Sequence, residues 1–147
     1  MTPATTPTAA DTAAPFEHRM RVYWEDTDAG GVVFYANYLK FFERARTEWL
    51  RALGVGQQAL RDATGAIFVV TDTTVRYRAP ARLDDELRVT VSLRQRGTAS
   101  MTIAQQAWCG EGSQARLLAE GDIRIGCVDH GTFRPRRIPI EVIQTLA

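Results

Sequence analysis

Arg19 to Glu25 alternates, with Val22 and Trp24 on one face and Tyr23 on the other. A period of two predicts a first strand. From about Tyr35 to Leu53 the interval changes: Tyr38, Phe42, Ala45, Trp49 and Leu53 recur at helical spacings. That spacing predicts one long helix with a single apolar stripe. Asn37 is placed to cap its start and Gly54 to stop it. Across from the stripe, Glu43, Arg46 and Arg51 predict a face given to solvent or to another subunit.

Four more alternating runs follow. Ile67 to Ala79 sets Val75, Tyr77 and Ala79 against Thr74, Arg76 and Arg78. Glu86 to Arg94 sets Leu87, Val89, Val91 and Leu93 against polar neighbours, and Thr98 to Trp108 carries Met101 and Ile103. Ala115 to Val128 ends with Ile123, Ile125 and Cys127 opposite Asp122 and Arg124. Each pattern suits a sheet with one covered face, and the short connections imply antiparallel neighbours. Arg96-Gly97-Thr98 predicts a hairpin turn. Pro139 is expected to open a short tail helix, with Ile140, Ile143 and Leu146 packing back. The order predicts an α+β fold, one long helix on a curved antiparallel sheet of about five strands. Residues 16–147 read as a single domain.

Composition narrows the class. A chain of 147 residues, 45% hydrophobic and 24% charged, has the balance of a soluble protein with one core. The net charge of +1 gives no footprint for a nucleic-acid partner. Seventeen arginines stand beside a single lysine, Lys40. Arginine's planar fork suits phosphate, and genomic base composition accounts for the same bias. Met1 to Pro15 is rich in Thr, Ala and Pro, with no basic residue and no apolar stretch. A disordered tail over residues 1–15 is expected there rather than a secretory signal, which points to the cytoplasm. No apolar run is long enough to span a membrane. Cys109 and Cys127 are too far apart for a paired-cysteine metal or redox motif and read as small core residues.

The candidate chemistry lies in residues 25 to 38. Glu25, Asp26 and Asp28 precede Gly30-Gly31, and a helix begins within a few residues. An ionised carboxylate beside amides that open a helix can attack or activate water while the amides bind an oxyanion. Acyl-group hydrolysis needs both parts together. Asp28 has two readings, a reacting carboxylate or the acceptor of a local turn. Asp26 reads as a group that holds the turn together. The opening Asp26-x-Asp28 imitates a calcium loop, but the fifth position is Gly30 and the twelfth is Asn37, where a glutamate is needed. His18 and His130 have no ligand-spaced neighbours, so neither a zinc site nor a histidine triad is supported, and no metal is expected. Ser100 and Ser113 lack the nucleophile-elbow setting. Tyr35 reads either as a core aromatic or as the donor of an amide to the site. Arg94, Arg96, Arg134, Arg136 and Arg137 read either as phosphate contacts or as a solvated face.

The run Asp26-Thr27-Asp28-Ala29-Gly30-Gly31-Val32-Val33-Phe34-Tyr35-Ala36-Asn37-Tyr38 resembles the signature of hot-dog-fold acyl-CoA thioesterases of the 4-hydroxybenzoyl-CoA thioesterase superfamily. Within it, the chain is most similar to the Tol-Pal-associated acyl-CoA thioesterases of the YbgC type. Further matches are Glu43-Arg44-Ala45-Arg46-Thr47-Glu48, Ala79-Pro80-Ala81-Arg82-Leu83-Asp84-Asp85 and Arg96-Gly97-Thr98. The resemblance implies a hot-dog fold and hydrolysis of acyl-CoA to a carboxylic acid and free coenzyme A. It implies that Asp28 is the catalytic carboxylate and that the Tyr35 backbone amide polarises the thioester carbonyl. Trp24, Gly31, Val32, Arg94, Arg96 and Thr98 would contact substrate. Coenzyme A would enter as part of the substrate, with no separate cofactor. Homodimers or tetramers are implied, with sites between subunits, and partners in membrane-associated lipid-synthesis or acyl-carrier machinery. Tyr35 stands where the Tol-Pal-associated group commonly has histidine, and Trp24 where it has tyrosine. The rival expectations are a hot-dog dehydratase, which wants a histidine beside the acid, and a non-catalytic acyl-CoA-binding scaffold.

Overall fold

The computed structural model describes residues 15–146. The tail expected over residues 1–15 therefore lies, Pro15 apart, outside the described residues. Five strands form one sheet: β1 (Phe16–Arg21), β2 (Ala66–Tyr77), β3 (Glu86–Arg96), β4 (Ser100–Cys109) and β5 (Arg116–Asp129). Their order is β1-β3-β4-β5-β2, and every neighbouring pair is antiparallel. Three helices accompany them: α1 (Asn37–Ala52), α2 (Gln57–Thr64) and α3 (Ile140–Leu146).

α1 lies on the covered face of the sheet, as its stripe predicts. Tyr38, Phe41, Phe42, Ala45, Trp49 and Leu50 are buried in one cluster with Leu87, Val89, Met101, Ile103 and Ile123. Phe41 and Phe42 are fully buried, and each contributes about 1.5–3 kcal/mol of apolar transfer. Gly121 of β5 permits this close packing. A Cβ there would sit 2.7 Å from the Thr74 carbonyl oxygen and 3.5 Å from the Phe42 ring.

The structure corrects several expectations. The first strand is Phe16–Arg21 rather than Arg19 to Glu25, and a 3-10 turn over Trp24–Asp26 follows it. Val22 is buried while Trp24 is 80% exposed, so they share no core face. Asn37 is the first residue of α1, not its cap; the cap position falls on Ala36, which makes no side-chain cap bond. α2 has no counterpart among the periodic runs. It is short, only Leu60 is buried, and Gly65 in the left-handed region ends it. Arg46 is partly buried against the sheet rather than solvated, because its guanidinium reaches Gln105. In α3, Ile140 is exposed and Val142 is the buried residue, although Ile143 and Leu146 do pack against the core.

β2 is an edge of the sheet, bonded to β5 on one side only. Residues Val70 to Thr74 along it are exposed.

Candidate active site

The loop between β1 and α1 is built by its aspartates. Val22 is pinned at both ends of its backbone, donating to the Asp85 carbonyl at 2.9 Å and accepting from the Asp84 amide at 3.0 Å. Asp26 is 5% exposed, and its Oδ2 accepts the Tyr23 amide at 2.8 Å. Its carbonyl accepts from the Phe34 amide at 3.0 Å and from Asn37 Nδ2 at 2.8 Å. Asp26 thus ties both arms of the loop to the first residue of α1. Asn37 serves this junction from the helix side.

Between those arms runs a short ribbon. Thr27 bridges Val33, and the Asp28 amide donates to the Val32 carbonyl at 2.9 Å. The Gly31 amide donates to the Asp28 carbonyl at 3.1 Å, closing a tight turn. Gly31 has φ of +79°, a conformation that glycine adopts without steric penalty. Asp28 Oδ1 accepts the Gly30 amide at 2.8 Å. The turn reading of Asp28 is therefore realised at one carboxylate oxygen, and the side chain remains exposed. The returning arm is held by the Val33 amide, which donates to the Ala81 carbonyl at 2.9 Å.

The chain then enters α1 through Tyr35 and Ala36. Among the described residues, the Tyr35 amide has no hydrogen-bond acceptor. A free amide at a helix start is a donor ready for an oxyanion. The Tyr35 side chain is 63% exposed and lies against Phe34 and Tyr77, with ring centroids 4.8 Å and 6.2 Å away. The Tyr77 hydroxyl donates to the Tyr35 carbonyl at 2.9 Å. That carbonyl shares a peptide with the Ala36 N–H, so the bond also strengthens Ala36 as a donor. The Tyr38 hydroxyl accepts the Ala81 amide at 3.1 Å. Burial pushes the Tyr38 and Tyr77 hydroxyls above the ordinary tyrosine pKa, keeping both protonated. A cavity of about 310 Å³ lies here, lined by Val33, Tyr35, Tyr38, Tyr77 and Pro80 among others. Asp28 is not in its lining.

This architecture has relatives. Residues 22–146 match the Thioesterase-like superfamily. The acyl-CoA thioester hydrolase YbgC of Escherichia coli O6:H1 is 43% identical over 128 residues, 87% of this chain and 92% of that protein. The acyl-CoA thioesterase YbgC of Haemophilus influenzae is 40% identical, over 86% of this chain and 90% of that one. The chain belongs to the thioesterase-like superfamily and is of the YbgC type. Its fold agrees. The crystal structure of a probable thioesterase from Bartonella henselae is 31% identical with a TM-score of 0.77, covering 86% of this chain and 100% of that one. A hypothetical protein from Aquifex aeolicus has a TM-score of 0.82 at 28% identity, covering 90% and 100%. The α+β arrangement is the hot-dog fold.

On this YbgC-type chain the predicted site residues fall into two groups. Asp28, Gly31, Val32 and Tyr35 share the loop and the start of α1, next to the beginning of β3, where Arg21 pairs with Glu86. Trp24 lies beside them on the surface. Arg94, Arg96 and Thr98 sit at the other end of β3, where Arg96 pairs with Met101 and the Thr98 carbonyl accepts the Ile138 amide. Roughly ten strand residues separate the groups, on the order of 30 Å. Arg94 is committed to Asp122, with Nη1 at 2.9 Å and 2.8 Å from its two carboxylate oxygens. Arg136 binds the Thr64 carbonyl and lies 3.8 Å from Asp129, whereas Arg96, Arg134 and Arg137 are exposed. Tyr77 and Tyr38 join the site without a sequence signal of their own. An aromatic in a strand and another on the helix stripe signal only packing.

Proposed function

We propose that this protein hydrolyses acyl-CoA with Asp28 as the reacting carboxylate and the Tyr35 amide as the main oxyanion donor. The protein is an acyl-CoA thioesterase, as its YbgC-type membership implies. Water and acyl-CoA give a carboxylic acid and coenzyme A, which enters only as part of the substrate. One Asp28 oxygen is fixed by the Gly30 amide, leaving Oδ2 to face the carbonyl carbon or a water. As the carbonyl oxygen gains charge, the unpaired Tyr35 amide donates to it, and Ala36, polarised through Tyr77, stands next in line. The single observation carrying this reading is that the acid and the free amide are held by one loop whose shape Asp26 sets.

The two groups of site residues favour a second copy. β2 offers a long unpaired edge, which a protein must cover, charge or pair. Two β2 strands pairing antiparallel would bring the Tyr77 end of one beside the Ala66 end of the other. β2 and β5 pair Ala66 with Asp129, near the β4 start, so that end also carries Arg96 and Thr98. The loop of one copy would then approach Arg96 and Thr98 of the next, and Arg96 would be free for a coenzyme A phosphate. A homodimer, or a tetramer made of two, follows from this reading.

No helix among the described residues is long and apolar enough to cross a membrane. A cytoplasmic enzyme meeting acyl-carrier or lipid-synthesis machinery at the membrane fits the family likeness. A thiol-release assay over short, long and aromatic acyl-CoAs tests the activity. Release from at least one class is expected, and none from any would refute it.

A further inference from the structure

α1 covers one face of the sheet. The other face carries a groove of about 420 Å³ that runs from β1 to β2. Its floor is mostly polar: Ser92, Ala104, Asp122 and Thr74 follow one another across β3, β4, β5 and β2, each paired with the next. Paired side chains share a face, so this row lies on the side away from Ile103 and Ile123. At the β1 end the groove is lined by Pro15, the first described residue. Proline has no N–H for the ladder, and β1 ends at Phe16 opposite Val91. The chain that precedes Pro15 is thus delivered to the mouth of the groove.

The charges along the groove are paired with one exception. Arg94 Nη1 lies 2.8 Å from Asp122, and Glu120 is held by Arg78 at 3.4 Å. Arg76 is exposed and makes no ion pair or side-chain hydrogen bond among the described residues. The exposed hydroxyls of Ser92 and Thr74 have no partner there either.

Fourteen residues precede Pro15: five threonines, five alanines, two prolines, Met1 and Asp11. Small side chains let a backbone lie close to a sheet, and threonine hydroxyls can donate to and accept from a floor of hydroxyls and amides. Asp11 is the one charged side chain, opposite in sign to Arg76. The lengths also agree. Four strand spacings make roughly 19 Å from β1 to β2. The four residues from Pro15 back to Asp11 reach about 13 Å when extended, and the Arg76 side chain spans most of the ~6 Å that remains.

We propose that residues 1–14 bind across this groove as a strap, with Asp11 paired to Arg76. The strap closes the face of the sheet that α1 leaves bare. It involves neither the site loop nor the hydrogen-bonding edge of β2.

Disulfide capture in the full-length chain tests it. Ala10→Cys is combined with Thr74→Cys in the groove or with Arg44→Cys on the exposed side of α1. Peptide mass mapping assigns each bridge, so Cys109 and Cys127 stay in place. Under mild oxidation the bridge between positions 10 and 74 should form within one chain, at least about tenfold faster than the bridge between 10 and 44. Arg76→Gln should slow it about two- to fivefold, the worth of an exposed ion pair. Melting curves check that each variant folds, and Ser92→Cys takes the place of Thr74→Cys if that variant does not. Equal rates to the two positions, a rate indifferent to Arg76→Gln, or bridges found only between chains would each overturn the proposal. The last result would assign the groove to a second copy.

Discussion

The Asp26 carboxylate accepts the Tyr23 amide at 2.8 Å, and that contact turns the chain off the sheet into the site loop. The same residue's carbonyl receives Phe34 and Asn37, so one buried aspartate fixes the loop at both ends. Asp26→Ala should lower unfolding free energy by about 1.5–3 kcal/mol, the worth of a hydrogen bond to a charged group. Asp26→Asn keeps an acceptor oxygen and should lose less. Urea midpoints of the two variants check the order, and turnover should fall with them because the loop carries Asp28.

Tyr77 acts on the site through the backbone. Its hydroxyl bond to the Tyr35 carbonyl is half exposed, so Tyr77→Phe should remove about 1 kcal/mol of transition-state stabilisation. That corresponds to roughly a fivefold loss in kcat, with KM little changed. Steady-state kinetics on one acyl-CoA separates the two parameters. An unchanged kcat would show that the hydroxyl plays no part in turnover.

Gln105 holds a different junction, between α1, β3 and β4. Gln105→Leu deletes its bonds to the Phe42 and Thr90 carbonyls and strips Arg46 of its partner. A loss of about 2–4 kcal/mol is expected, more than one hydrogen bond, because a charged group is left unpaired. The denaturant midpoint of the variant measures it.

Asp129 gives the fold an acid-sensitive turn. Its Oδ2 accepts the Thr132 and Gly131 amides, which hold its carboxyl below the ordinary aspartate value of 3.8. The folded pKa lies below the unfolded one, so the stabilisation is complete above 3.8 and is lost as pH falls toward the lower folded value. Melting temperature against pH should therefore drop less steeply below 3.8 for Asp129→Asn than for the unmodified chain.

Much of this fold is written in its periodicities. The stripe Tyr38, Phe42, Ala45 and Trp49 marks α1 because one face must be covered, and Leu87, Val89 and Val91 mark β3 for the same reason. The first strand is harder to place, because alternation continues through Val22 to Trp24 after the sheet has ended. What ends it is the Asp26 bond, a contact with no periodic signature. The place of Arg46 is equally hidden from helical spacing, since its burial depends on Gln105, a residue of another element. The Asp28 turn is legible from Gly30-Gly31. The distance between that loop and Arg96 is not, since it follows from strand register and not from residue type.

Thiol release by Asp28→Asn, measured on a variant whose circular dichroism and oligomeric state match the parent, tests the central claim most directly. The amide keeps an oxygen for the Gly30 bond and loses the charge that would attack or activate water. Turnover should fall by about a hundredfold or more. Turnover within about twofold of the parent, well short of even one power of ten, would contradict the assignment of Asp28.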